Sequence, residues 1–203
     1  MKSSRRHLAL ICAALGGTRP APAQIVADPA AAANQRPAVL AFDRSGRPIM
    51  DFKALSTGEK QLIGEARADS FVMRKIPDAI KLKPPPTIGS RGVDAIYKIN
   101  RPEINYLIGE AKFGTSALKS TNDGLQMSDD WLKGSSNDFQ RIFDAVEDRE
   151  LAKDIVKAIR EGRVEKWLTR VDPHGRVTLQ VLDHAGQPLP NPEIASKILG
   201  GQP

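Results

Sequence analysis

The sequence predicts a mixed α/β (α+β) fold, one β-sheet flanked by helices within a single domain. Three observations predict it. Apolar residues recur at helical spacing before residue 76 and again between residues 138 and 160. Two pairs of runs rich in β-forming residues, each pair joined by a short polar loop, read as hairpins. Their order along the chain is helix, hairpin, helices, hairpin, and helices stacked on a sheet bury the apolar side of both. The 203 residues suffice for one domain with a proper core. A content of 40% hydrophobic and 27% charged residues excludes fibrous and membrane-embedded classes.

The first element is read as an export leader, residues 1–23. A basic stretch (Lys2, Arg5, Arg6) precedes the apolar run LALICAAL at 8–15, and Ala21-Pro-Ala23 offers a small-residue cleavage site. Ser4-Arg5-Arg6-His7-Leu8 also resembles a twin-arginine signal. The run is far shorter than the roughly 20 residues that span a bilayer, so no membrane anchor is expected. The expectation is a secreted or periplasmic bacterial protein; the competing reading is an alanine-rich tail. Cys12, the single cysteine, lies in this leader and lacks the small preceding residue of a lipoprotein signal. The mature chain would then hold no disulfide, no thiolate zinc site and no cysteine nucleophile. The leader also explains the net charge of +6: without its four basic residues, 26 basic side chains face 24 acidic ones. Global basicity therefore does not argue for a polyanionic partner, although a local patch still can.

Residues 24–54 read as a linker (24–37) and an N-terminal arm, with a short strand and turn over 39–49. The domain proper is read as 55–185. Ser56-Thr-Gly-Glu59 has the spacing of a capping box, and Leu62, Ile63, Ala66, Phe71 and Val72 continue a helix that Pro77 ends. Lys83-Pro84-Pro85-Pro86 forms a stiff connector. Residues 93–99 and 106–113 form the first hairpin, closed by a loop at 100–103. Residues 114–125 read as a flexible loop, 126–133 as a helical turn or short helix, and 138 to about 160 as one helix. Residues 165–171 and 177–182 form a second hairpin around Asp172-Pro-His-Gly175. Residues 186–203 are rich in Pro and Gly and read as a frayed tail with one helical turn near 193–199.

The chemistry is read from the first hairpin. Side chains alternate along a strand, so Glu110 and Lys112 share a side and Ala111 takes the other. An antiparallel neighbour beginning near Asp94 brings that carboxylate beside them. Two converging carboxylates repel unless a cation joins them, and oxygen donors suit a hard ion, Mg²⁺ or Mn²⁺. A lysine next to that ion can position a water and stabilise charge developing on a phosphate. The bland counterpart is a solvated Glu-x-Lys ion pair. Apolar neighbours (Val93, Ile96, Leu107, Ile108) argue against it, because charges on a buried sheet are costly unless paired or functional.

Asp94 followed by Glu110-Ala111-Lys112, each on an apolar strand, resembles the PD-(D/E)XK motif of restriction-endonuclease-like nucleases. More narrowly, Gly92-Val-Asp-Ala-Ile-Tyr-Lys98, Tyr106-Leu-Ile-Gly-Glu-Ala-Lys112 and Gly124-Leu-Gln-Met-Ser-Asp-Asp-Trp131 are similar to nuclease domains of bacterial polymorphic toxins. The resemblance covers roughly residues 56–135, and Val93 stands where the motif names proline. It implies a restriction-endonuclease-like core with a central mixed sheet. It implies Asp94 and Glu110 as metal ligands, the Ala111 carbonyl as a further ligand, and Glu65 on the preceding helix as another. Lys112 is implied as the water-positioning base or charge stabiliser, and Gln126 as a contact to water or phosphate. The implied function is an Mg²⁺- or Mn²⁺-dependent endonuclease acting on nucleic acid; the leader adds export, and DNA is favoured over RNA because RNA's 2′-hydroxyl allows cleavage without a metal. As an antibacterial toxin or effector it would have an immunity protein as partner. The alternative is a non-catalytic nucleic-acid-binding module or periplasmic adaptor that keeps the fold. His174 and His184 read as incidental, and Trp131 and Trp167 as core. Lys119, Lys133, Arg141, Arg149 and Lys153 could line a phosphate-binding face, but interleaved acids make them ordinary solvated charges.

Overall fold

The computed structural model describes residues 39–42, 44, 48–51, 55–82, 92–134, 139–172 and 175–200. The leader, the linker, the proline connector and His174 lie outside the described residues. In the arm, β1 (Val39–Phe42) and β2 (Pro48–Met50) pair antiparallel. Helix α1 (Thr57–Lys75) starts at the expected capping box: the Ser56 amide donates to Glu59 at 2.8 Å, and the Glu59 amide donates to Ser56 Oγ at 3.3 Å. Its buried side carries Leu62, Ile63, Ala68 and Val72, and also Glu65.

The sheet has five strands in the order β3 (Ile80–Lys81), β4 (Ala95–Lys98), β5 (Tyr106–Phe113), β8 (Val164–Val171) and β9 (Val177–Leu182). Both expected hairpins are present, with Ala95 opposite Gly109 in one and Trp167 opposite Val181 in the other. They join through β5 and β8, which run parallel in unbroken register from Tyr106↔Val164 to Phe113↔Val171. The molecule is therefore mixed α+β with a central mixed sheet flanked by helices.

Alternation along the strands divides the core in two. Ile96, Ile108 and Leu168 face α2 (Asp129–Lys133), α3 (Gln140–Val146) and α4 (Arg149–Arg160). Ala95, Tyr97, Leu107 and Trp167 face Val72 and Ile76 at the end of α1. Both tryptophans are core residues, Trp167 fully buried and Trp131 nearly so.

Three expectations are corrected. The helix expected over 138–160 is two helices, because Glu147 is left-handed at φ 57° and Asp148 caps the amides of Glu150 and Leu151 at 3.0 Å. An Asp ahead of a fresh turn out-competes helix continuation by giving free amides an acceptor. The loop at 114–125 contains a small hairpin, β6 (Ser120–Thr121) with β7 (Gly124–Leu125). The tail is not frayed over residues 186–200. Leu182 bridges Pro188, α5 (Pro192–Ala195) follows, and Ser196 and Ile198 are buried. The buried Glu165 carboxylate holds it, accepting from Ser196 Oγ at 2.6 Å and from the amides of Lys197 and Ile198 at 2.8 and 3.2 Å. Pro- and Gly-rich composition marks a lack of regular structure, which is not a lack of fixed partners.

Candidate active site

The first hairpin delivers the expected pair of carboxylates. Asp94 immediately precedes β4, and its Oδ2 accepts the Ala111 amide of β5 at 2.8 Å. Glu110 is on β5 and only 2% exposed. Its Oε1 accepts from Lys112 Nζ at 2.5 Å and from Gln126 Nε2 at 2.6 Å. Its Oε2 is buried and receives no donor among the described residues, with the Asp94 carboxylate as its neighbour. Burial, and after it the neighbouring Asp94 charge, raise the Glu110 carboxyl against the opposing pull of Lys112, from 4.5 to a net value of about 8. Thr169 Oγ1 on β8 donates to the Glu110 carbonyl at 3.1 Å, which ties the neighbouring strand to the site.

Gln126 reaches Glu110 from the turn between β7 and α2. Its Oε1 faces the Lys119 amide at 3.4 Å, so one side chain spans the small hairpin and the carboxylate. That turn is unusual: Met127 is fully buried with φ at 71°, a conformation that persists only where neighbours enforce it. One neighbour is Gly186, at φ +78°, where a Cβ would stand 3.0 Å from both the Gln126 carbonyl oxygen and the Ser128 nitrogen. His184 is exposed, and its carbonyl accepts the Asp129 amide at 2.8 Å.

Glu65 approaches from α1. It is buried, accepts from Gln61 at 2.8 Å, and lines a cavity of about 10 Å³ with Asp69, Asp94, Tyr97, Glu110 and Ala111. Such a space is about one water in size. Ala111 enters the site through its amide, while its side chain faces Gly64 of α1. The structure thus gathers Asp94, Glu110, Lys112 and Gln126 directly and brings Glu65 and Ala111 to the shared cavity. Among the described residues no group of three or more Asp, Glu, His or Cys side chains is already gathered as a metal cluster.

Sequence reasoning missed the layer behind Glu65. Asp69 takes hydrogen bonds from the Tyr97 hydroxyl and from Lys81, pinning α1 to β3 and β4. The available signal was Asp69 standing four residues after Glu65, on the same helical face. The cations proposed for a phosphate-binding face are mostly committed elsewhere. Lys133 pairs with Asp130 at 3.0 Å, Arg141 with Asp123 at 2.9 Å, Lys153 with Glu150 at 2.7 Å, and Arg149 lies over the Phe139 ring. Lys119 is exposed. Among the described residues no helix is long and apolar enough to cross a membrane. No family model, no curated protein and no solved structure matches the chain.

Proposed function

We propose that this protein is a divalent-cation-dependent nuclease with a restriction-endonuclease-like core, hydrolysing phosphodiester bonds in DNA in preference to RNA. The observation that carries the reading is Glu110. A buried carboxylate oxygen that receives no donor among the described residues, next to a second carboxylate, is costly unless a cation completes it. The donors are carboxylate oxygens, which fit Mg²⁺ or Mn²⁺. Asp94 and Glu110 would hold the ion, with Glu65 and the Ala111 carbonyl as further donors. When bound, such an ion supplies Lewis acidity that favours hydroxide over water and offsets charge on the phosphate.

The chain's own groups divide the remaining work. Lys112, held at 2.5 Å by Glu110, keeps an ammonium where it can orient the attacking water and stabilise charge on a non-bridging phosphate oxygen. Gln126 fixes the rotamer of Glu110 by its 2.6 Å hydrogen bond, and the second hydrogen of its Nε2 is the one that would meet water or phosphate. The leader read at 1–23 adds export to this proposal, and with it a toxin or effector role answered by an immunity protein.

The test incubates the purified chain with supercoiled plasmid and with RNA, in Mg²⁺, in Mn²⁺ and in EDTA. Cleavage is expected only with the cation, and Glu110→Gln or Lys112→Ala should lower its rate by about a hundredfold or more. Equal cleavage by wild type and variants, or none in any divalent ion, would leave a non-catalytic module with this fold.

A further inference from the structure

Three cations project from the central strands β5 and β8 on the face that carries Glu110. Lys112 is paired with Glu110, and Lys166 is buried against Asp129. Arg170 forms no ion pair among the described residues. Its contacts are neutral: Nε donates to Gln180 Oε1 at 3.1 Å and Nη1 to the Ser116 carbonyl at 2.6 Å. Neither acceptor neutralises the guanidinium, but together they fix its plane, and Nη2 keeps its donors.

The parallel register makes this arrangement informative. Arg170 is the partner of Lys112 in the β5–β8 ladder, so the two side chains leave the sheet on the same side from strands about 4.8 Å apart. Like charges placed side by side destabilise a sheet. Glu110 carries a single charge and is paired with Lys112, not with Arg170. A fixed arginine without an ion-pair partner, next to the proposed reaction centre, fits an anion supplied from outside, and its planar fork matches phosphate oxygens.

We propose that Arg170 binds a backbone phosphate of the nucleic acid, forming with Lys112 a two-cation cradle at the end of β5 and β8. The substrate class rests on the nuclease reading; the anion site rests on charge placement alone. The salt dependence of binding tests it, measured by fluorescence anisotropy on duplex DNA and duplex RNA over a range of KCl, in the full chain carrying Glu110→Gln so that substrate is retained. Adding Arg170→Gln should weaken binding about tenfold near 0.1 M salt and lower the slope of log K against log salt by about one. Arg170→Lys should restore the slope but only part of the affinity, since charge returns without the fork. Arg163→Gln, whose arginine already pairs with Glu161, should change neither. If the glutamine variant melts early, Arg170→Met, which keeps the packed stem, replaces it. An unchanged slope in both nucleic acids overturns the proposal, and a change in only one names the ligand. Failure of wild type to cleave in any divalent ion would remove the nuclease reading and leave the slope result standing.

Discussion

At the scale of single residues, Glu110 dominates the site. Its carboxyl is raised in the folded chain from 4.5 to about 8, chiefly by burial and then by Asp94. The folded state therefore binds a proton that the unfolded state has released, throughout the window between those two values. Its contribution to stability is fully present below about pH 4.5 and is lost as pH rises toward 8. In EDTA, the wild-type melting temperature should accordingly fall across that window. Glu110→Gln should flatten this component, and Mg²⁺ should restore stability most at pH 8, because cation binding displaces the proton. Melts from pH 5 to pH 8 with and without Mg²⁺ check this; a wild-type curve that rises with pH as steeply as that of Glu110→Gln would contradict it. Asp94, Glu110 and Lys112 were legible because residue type and a period of two are local properties. The unsatisfied Oε2 was not, because it depends on what packs over the carboxylate.

At the scale of elements, caps and hairpins were legible where their chemistry lies within a few residues, as in Ser56 with Glu59 or the β4–β5 pair. The break between α3 and α4 was masked by an apolar pattern that continues through it, although Asp148 was its signal. The turn that holds Gln126 was hidden for a different reason. Its support is Gly186, remote in sequence, which packs on backbone rather than on a side chain. Gly186→Ala should cost about 1–2 kcal/mol from left-handed backbone strain. It should also slow cleavage, because the added methyl meets the Gln126 and Ser128 backbone at 3.0 Å. Gly162→Ala is the matched control: φ is +67° and nothing lies within 4 Å of the added carbon. Denaturant melts should show a loss for both, and only Gly186→Ala should lose activity. Equal activity in the two variants would remove the link between this turn and Gln126.

At the scale of the whole molecule, the parallel β5–β8 seam joins two hairpins separated by three helices and sets Arg170 beside Lys112 and Thr169 beside Ala111. On the opposite face Glu165 anchors the C-terminal segment and also accepts Trp167 Nε1 at 2.5 Å. Glu165→Ala would leave four donors without their acceptor, namely Trp167 Nε1, Ser196 Oγ and the amides of Lys197 and Ile198. A loss of about 3 kcal/mol or more is expected in denaturant unfolding, with protease cutting after Lys197 as a local readout; an unchanged midpoint would show that the clamp contributes nothing.

The sequence by itself determined the capping box of α1, both hairpins and the trio Asp94, Glu110 and Lys112, because periodicity, turn chemistry and capping act over a few residues. Only the tertiary structure decided that β5 and β8 run parallel, that residues 186–200 are held by Glu165, and that Arg170 lies beside Lys112. Strand partners, buried acceptors and charges without ion-pair partners are chosen by packing between distant segments. That choice minimises buried polar cost over the whole core and has no local pattern to announce it.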